Sequence, residues 1–221
     1  MRTVTDPDLF PAAAAVIEER GWVQGAIETP DGQVCATGAL RHCDLVAGDW
    51  IVARSVMRHR HHGEIWNDGD GTTEPDVLAW LRTAPPVTDD ELAVVYGPQW
   101  ADVVALIRRT AVLTGEEARR MAAAWSGLDA VGAAVRAAAR AAAQVATRTA
   151  AQVAARDAAR DAATRAAAWE AAAGAFLVFS TEATFAAWAT VTRDLIGTAG
   201  YTQAHYDTLM APWLSVVGET A

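Results

Sequence analysis

The chain has 221 residues, of which 52% are hydrophobic, and its formal net charge at pH 7 is −9. This length suits one large domain or two small ones, and the negative charge argues against nucleic acid or anionic lipid as a partner. Two cysteines are too few for a disulfide framework, no apolar run is long enough to span a membrane, and the N-terminus lacks the features of a signal peptide. We therefore expect a cytoplasmic protein with reduced thiols.

Residues 1–84 predict a small α+β module. Pro7 suits the first position of a helix, and Gly21 suits the position just after its end. The turn sequence TPDG, with Pro at its second position, predicts a β-hairpin. The predicted elements are a helix from Asp6 to Arg20, strands at 22–28 and 33–36, and helices from about Thr37, over 49–62 and after the N-cap residue Thr73.

After the Pro-Pro-Val segment at 85–87, the sequence predicts an all-helical domain, residues 85–221. Thr88 with Glu91 and Thr114 with Glu117 have the spacing of a capping box, which begins a helix. The segment that follows is rich in Ala, the strongest helix former. The predicted elements are a long helix at about 116–173, a buried helix at about 175–196 and a C-terminal helix at about 202–211, so the fold class is mainly α.

The long Ala-rich helix also predicts self-association. Val131, Val135, Ala138, Ala142, Val145 and Thr149 have the 3-4 spacing of a coiled-coil stripe, and polar residues, mostly arginine, recur every four residues beside it. Acidic residues interrupt the arginine row, so we interpret that row as a solvent-exposed, salt-bridged face rather than as a phosphate-binding surface. The residues of this predicted interaction helix are Val131, Val135, Val145, Arg136, Arg140 and Arg148.

Cys35, His42 and Asn67 form one candidate catalytic group. Cys35 lies where a predicted strand meets a predicted helix, and a helix N-terminus lowers the pKa of a thiol. A histidine could then act as the base and Asn67, the single Asn of the chain, could orient it. The opposing interpretation is that Cys35 is a small buried core residue, and it is the one we favour because no signature of a cysteine-dependent enzyme family surrounds this cysteine.

The segment RHRHHG is a candidate metal site. Its histidines are His59, His61 and His62, and the first and last of them have the i,i+3 spacing at which two side chains of one helix can chelate an ion. The following DGDG lacks the spacing of a calcium-binding EF-hand loop. We favour a solvated helix end over a metal site, and we predict no cofactor.

Residues 12–84 resemble an uncharacterised small domain of actinobacteria and their phages. The resemblance rests on the motifs GWVQGA, DGQVCATGAL and WND, followed by a Thr and an Asp-Val helix. It implies a phage or prophage accessory protein, and it implies no activity. The residues of the shared pattern are Trp22, Cys35, Gly38, Trp66, Asn67, Asp68 and Thr73, and we expect WND and the segment bearing Cys35 to meet in space.

The leading hypothesis from the sequence is a non-enzymatic interaction protein. Its expected partners are a second copy of itself and a host protein, with no membrane and no nucleic acid. A Cys-dependent hydrolase or transferase that uses Cys35 is the main alternative, and a metal-binding protein is the third.

Overall fold

The computed structural model describes residues 7–43, 48–61, 66–126 and 200–218, with short pieces at 134–135, 137–138, 141, 186, 189–190 and 193–197. These residues are mainly helical, in agreement with the predicted fold class. The chain divides into two compact units, Met1–Leu92 and Ala93–Ala221. Beyond Ser126, the long helix predicted over 116–173 lies outside the described residues except for the short pieces, and so does most of the predicted helix 175–196.

The first unit packs its helices around an apolar core. The helices are α1 (Leu9–Arg20), α2 (Ala36–His42), α3 (Asp49–Arg60), α4 (Glu74–Thr83) and α5 (Asp89–Tyr96), and the boundary between the units falls within α5. α1 contributes Phe10 and Ile17 to the core, and α4 contributes Val77 and Leu81, all of them buried. α1 packs against both α2 and α4, and α2 packs against α3.

The start of α1 differs from the sequence prediction, whereas its end agrees. The predicted N-cap was Asp6, but Asp8 is the N-cap, because its carbonyl accepts the first intrahelical hydrogen bond, from the N–H of Ala12 at 2.8 Å. Gly21 ends the helix with a φ of 86°, and its N–H donates to Ile17 at 2.8 Å. Only glycine adopts such a backbone conformation without strain.

The segment predicted as a β-hairpin is a turn with isolated bridges. The predicted TPDG turn is present, since the Gly32 N–H donates to the Thr29 carbonyl at 2.9 Å. In place of two regular strands, Val34 forms a parallel bridge with Trp22 and an antiparallel bridge with Glu28. Gly25, with a φ of 74°, bends the chain between those two contacts, so Val34 pairs with both ends of residues 22–28, which we call the bent segment.

The described part of the second unit contains α6 (Trp100–Ala111), α7 (Gly115–Ser126) and α8 (Gln203–Val217), of which α7 packs against α8. The predicted capping box at the start of α7 is present. The Thr114 N–H donates to the Glu117 carboxylate at 2.8 Å, and the Glu117 N–H donates to the Thr114 hydroxyl at 3.2 Å. Among the described residues, no helix combines the length and the apolar character needed to cross a bilayer.

The C-terminal helix α8 is longer than the predicted 202–211. Pro212 was expected to end it, but the helix continues to Val217 and ends at Gly218, whose φ is 81°. A proline inside a helix removes one hydrogen bond and crowds the preceding turn. Here Pro212 and Trp213 are both buried, so apolar packing offsets that loss.

The capping box predicted for α5 is only half formed. The Glu91 N–H donates to the Thr88 hydroxyl at 3.3 Å. The Glu91 carboxylate instead accepts two hydrogen bonds from Arg60, at 2.7 and 2.8 Å, while the same guanidinium donates to the Pro85 carbonyl at 2.9 Å. A long-range ion pair has therefore replaced the local contact.

Candidate functional site

Asn67 is the centre of a hydrogen-bond network in the first unit. It lies in a short 3₁₀ turn, Trp66–Asp68, and only 4% of its surface is exposed. Its amide oxygen accepts from the Trp22 indole N–H at 2.8 Å and from the Ala36 N–H at 3.1 Å. Its amide nitrogen donates to the Val23 carbonyl at 3.2 Å and to Asp68 at 2.9 Å. The side chain therefore joins the bent segment to the start of α2.

Gln24 and Asp68 extend this network. The Gln24 side-chain amide donates to the carbonyls of Asn67 and Thr72, at 3.1 and 3.2 Å. The Asp68 carboxylate accepts from the Gly25 N–H at 2.7 Å. The Thr72 hydroxyl donates to the Trp66 carbonyl at 2.9 Å. The polar stretch from Trp66 to Thr72 and the bent segment are thus held together by side chains rather than by a sheet. We call these contacts, with those of Asn67, the Asn67 network.

Thr73 and Gly38 have structural roles at the edges of the Asn67 network. Thr73 is the N-cap of α4, as predicted, and its N–H donates to the Asp76 carboxylate at 3.0 Å. Gly38 lies so close to the bent segment that a Cβ at this position would be 2.2 Å from the Ile27 carbonyl oxygen. No residue with a side chain fits there without movement of the backbone.

Cys35 is the N-cap of α2 and is buried. Its sulfur accepts from the Gly38 N–H at 3.4 Å. The helix N-terminus was expected to lower the pKa of this thiol, and the backbone N–H groups of Gly38 and Thr37 do have a lowering effect. Burial has the larger effect, however, and raises the pKa, to which the Asp68 carboxylate also contributes. The thiol is therefore mainly protonated at neutral pH.

A cavity of about 190 Å³ lies beside Cys35. The bent segment, the start of α2, the middle of α3 and the 3₁₀ turn all line it. Cys35 and Asn67 both belong to this lining, so the structure brings together the WND motif and the segment that bears the cysteine. Among the other lining residues are Ile27, Arg54, Met57, Arg58 and Trp66.

His42 does not complete a Cys–His–Asn arrangement with these two residues. It lies at the other end of α2, where its Nε2 is 3.2 Å from Arg20 and 3.4 Å from Glu28. The amide of Asn67 is occupied by Trp22, Val23, Ala36 and Asp68 rather than by a histidine. The geometry gives Asn67 a structural role.

The histidines of the candidate metal site have different surroundings. His59 is exposed on α3, and the ring of His61 stacks on Trp66 with centroids 4.2 Å apart and an angle of 5° between planes. Trp80 lies against both rings. His62 lies outside the described residues. Within the part of the chain that the structure describes, no three His, Cys, Asp or Glu side chains are grouped to hold a metal ion.

Most of the predicted interaction helix lies outside the described residues. This holds for Val131, Arg136, Arg140, Val145 and Arg148, whereas Val135 is described and is buried.

Sequence reasoning missed Gln24, which extends the Asn67 network, and the arginines Arg54 and Arg58, which line the cavity. The two arginines have i,i+4 spacing, which places them on one face of α3, and this spacing could have identified them. Gln24 belongs to the motif GWVQGA, but that motif does not indicate that its side chain donates to carbonyl groups more than 40 residues away.

Comparison with known proteins gives one relationship. No curated protein and no solved structure matches this chain. The resemblance of residues 12–84 to an uncharacterised domain is confirmed, because residues 1–85 match the model of a family of unknown function, DUF6197.

Proposed function

We propose that the first unit is a non-enzymatic recognition module that binds a partner protein around Ile27. One observation carries this proposal: Ile27 is 47% exposed at the rim of the cavity, on a segment that the Asn67 network holds in place. In the lining of the cavity, Ile27 has Ala26, Met57 and Trp66 as apolar companions, and contiguous exposed apolar surface marks protein-interaction sites. A rigid segment also loses little conformational entropy when it binds.

The chemistry of the polar residues supports binding over catalysis. The amide of Asn67 is fully engaged in structural hydrogen bonds, and burial raises the pKa of the Cys35 thiol, which disfavours the thiolate. A Cys-dependent hydrolase or transferase needs a thiolate and a base in contact with it. That alternative therefore gains no support from the described geometry, and neither does metal binding.

The resemblance in sequence supports a wider setting for this module. We place it in a phage or prophage accessory protein that acts in the cytoplasm of its bacterial host. The Ala-rich segment, with Val131, Val135 and Val145 on one stripe, would bring copies of the chain together. Sedimentation velocity at micromolar concentration tests this second part, and a compact monomer would contradict it.

A pull-down with matched variants tests the partner-binding part. The immobilised full chain is incubated with an extract of an actinobacterial host, as the wild type, as Ile27→Asp and as Val94→Asp. Val94 is the control because it is 46% exposed but belongs to the second unit. We expect a protein retained by the wild type and by Val94→Asp to be lost with Ile27→Asp. Equal retention by all three, or retention of nothing, would contradict the proposal.

A further inference from the structure

The cavity beside Cys35 has the size and lining of a small-ligand site. Its volume is about 190 Å³. An apolar cavity of about 150 Å³ in another protein is known to bind benzene. The cavity here therefore has room for one six-membered ring or a branched aliphatic group, and Ala26, Ile27, Met57 and Trp66 give it apolar walls.

The charged residues of the lining favour an anion. Arg54 and Arg58 lie one helical turn apart on α3 and both line the cavity. Asp68 is the carboxylate of the lining, and its Oδ1 already accepts hydrogen bonds from Gly25 and Asn67. Two arginines against one aspartate leave the lining with an excess of one positive charge, on a chain whose net charge is −9.

Arginine recognises carboxylates well. Its planar guanidinium presents only donors, in a geometry that matches the two oxygens of a carboxylate. The Thr37 side chain also lines the cavity, and a hydroxyl can donate one more hydrogen bond. The Cys35 thiol, mainly protonated, places no opposing charge on the wall.

We propose that this cavity binds a small organic monoanion, an aromatic or branched aliphatic carboxylate. Its apolar body lies against Met57 and Trp66, and its carboxylate lies toward Arg54 and Arg58. Binding of this ligand is a function separate from the recognition of a partner protein, because it requires only the cavity of the first unit.

The two cysteines of the chain provide the assay. Cys35 lines the cavity, and Cys43 follows the other end of α2 and is not among the lining residues. The purified full chain is alkylated with iodoacetamide, and mass spectrometry gives the rate at each cysteine with increasing benzoate. We expect benzoate to slow alkylation of Cys35 and to leave that of Cys43 unchanged. Benzamide, a neutral molecule of the same shape, should need a concentration about tenfold higher.

Arginine variants test the recognition of charge. Arg54→Gln and Arg58→Gln should each raise the concentration of benzoate for half-protection by about tenfold, since a hydrogen bond between charged groups is worth more than a neutral one. Arg41→Gln is the control, because Arg41 is exposed on α2 away from the cavity lining, and it should behave as the wild type. Thermal unfolding of each variant verifies that it is folded.

Three results would overturn this proposal. The first is that benzoate does not protect Cys35, and the second is that it protects both cysteines equally. The third is that the wild type and both arginine variants each bind benzoate and benzamide with the same affinity. Calorimetric titration with benzoate gives the same comparison if Cys35 reacts too slowly to follow. Because no partner protein is present, failure here leaves partner binding at Ile27 standing, and the reverse also holds.

Discussion

The bent segment of the first unit and helix α7 of the second are ordered in different ways. The bent segment has isolated bridges and depends on Asn67, whose side chain reaches residues as far as 45 positions away. Helix α7 begins with a capping box between two residues only three positions apart, Thr114 and Glu117. Long-range polar contacts therefore determine the site, whereas local contacts determine the helix ends. Removing a polar side chain should consequently lower the free energy of unfolding most when that side chain belongs to the Asn67 network.

Asn67→Ala should produce the largest loss of stability. It removes the acceptor of the Trp22 indole N–H and of the Ala36 N–H, and a buried donor without a partner costs about 1–3 kcal/mol. We expect a loss of about 4 kcal/mol from the free energy of unfolding of the first unit. Thr114→Ala, which removes an exposed N-cap, should lose only about 1 kcal/mol. Urea unfolding, with hydrogen exchange to assign the unit, measures both, and equal losses would contradict the comparison.

The same glycine-to-alanine change should have opposite effects in the two regions. At Gly38 the added Cβ would lie 2.2 Å from a backbone oxygen of the bent segment, so we expect a loss of about 3 kcal/mol. At Gly115, the first residue of α7, a Cβ meets nothing within 4 Å. Alanine there should stabilise the protein by about 0.5 kcal/mol, because it reduces the conformational entropy of the unfolded chain. Thermal unfolding of both variants decides, and a stable Gly38→Ala would show that the bent segment can move.

Two ion pairs give a further contrast. The side chains of Arg60 and Glu91 are only 15% and 18% exposed, whereas those of Arg193 and Asp102 are 46% and 52% exposed. Arg60→Met leaves a largely buried carboxylate without its cation and should cost about 2–3 kcal/mol. Arg193→Met removes an exposed pair, which is worth less than about 1 kcal/mol. If chemical denaturation gives similar losses in the free energy of unfolding for the two variants, burial does not determine how much these ion pairs stabilise the protein.

The sequence predicted those features that depend on neighbouring residues. Gly21 ends α1, Thr73 is the N-cap of α4, and Thr114 with Glu117 begins α7, each as predicted. In each case the contact joins residues within one turn of a helix, so residue type and spacing suffice.

The candidate site could be predicted only in part. The motif WND and the segment with Cys35 were expected to meet, and they do, through the contact of Asn67 with Ala36. The indole of Trp22 as the other partner, and the burial that raises the pKa of Cys35, follow from packing between distant segments. Local propensities do not encode such packing. The same reason explains why the capping box predicted for Glu91 is only half formed, since its carboxylate pairs with the distant Arg60.

Substitution of Glu117 should have the smallest effect on stability, and it tests the local contacts most specifically. Hydrogen bonds from Thr114 and the neighbouring Arg109 lower the pKa of its carboxyl from 4.5 to about 2. A lowered pKa means that the folded state favours the ionised carboxylate of Glu117. The contribution of this carboxylate to stability is therefore complete above pH 4.5 and is lost as the pH falls through about 2. The wild type should therefore be more stable than Glu117→Gln above that window, and the difference should shrink within it. Glu116→Gln makes the same change of charge one residue earlier in the helix and leaves in place the hydrogen bonds that Glu117 accepts from Arg109 and Thr114, so it is the matched control. If both variants follow the same pH profile, net charge rather than the capping box is responsible.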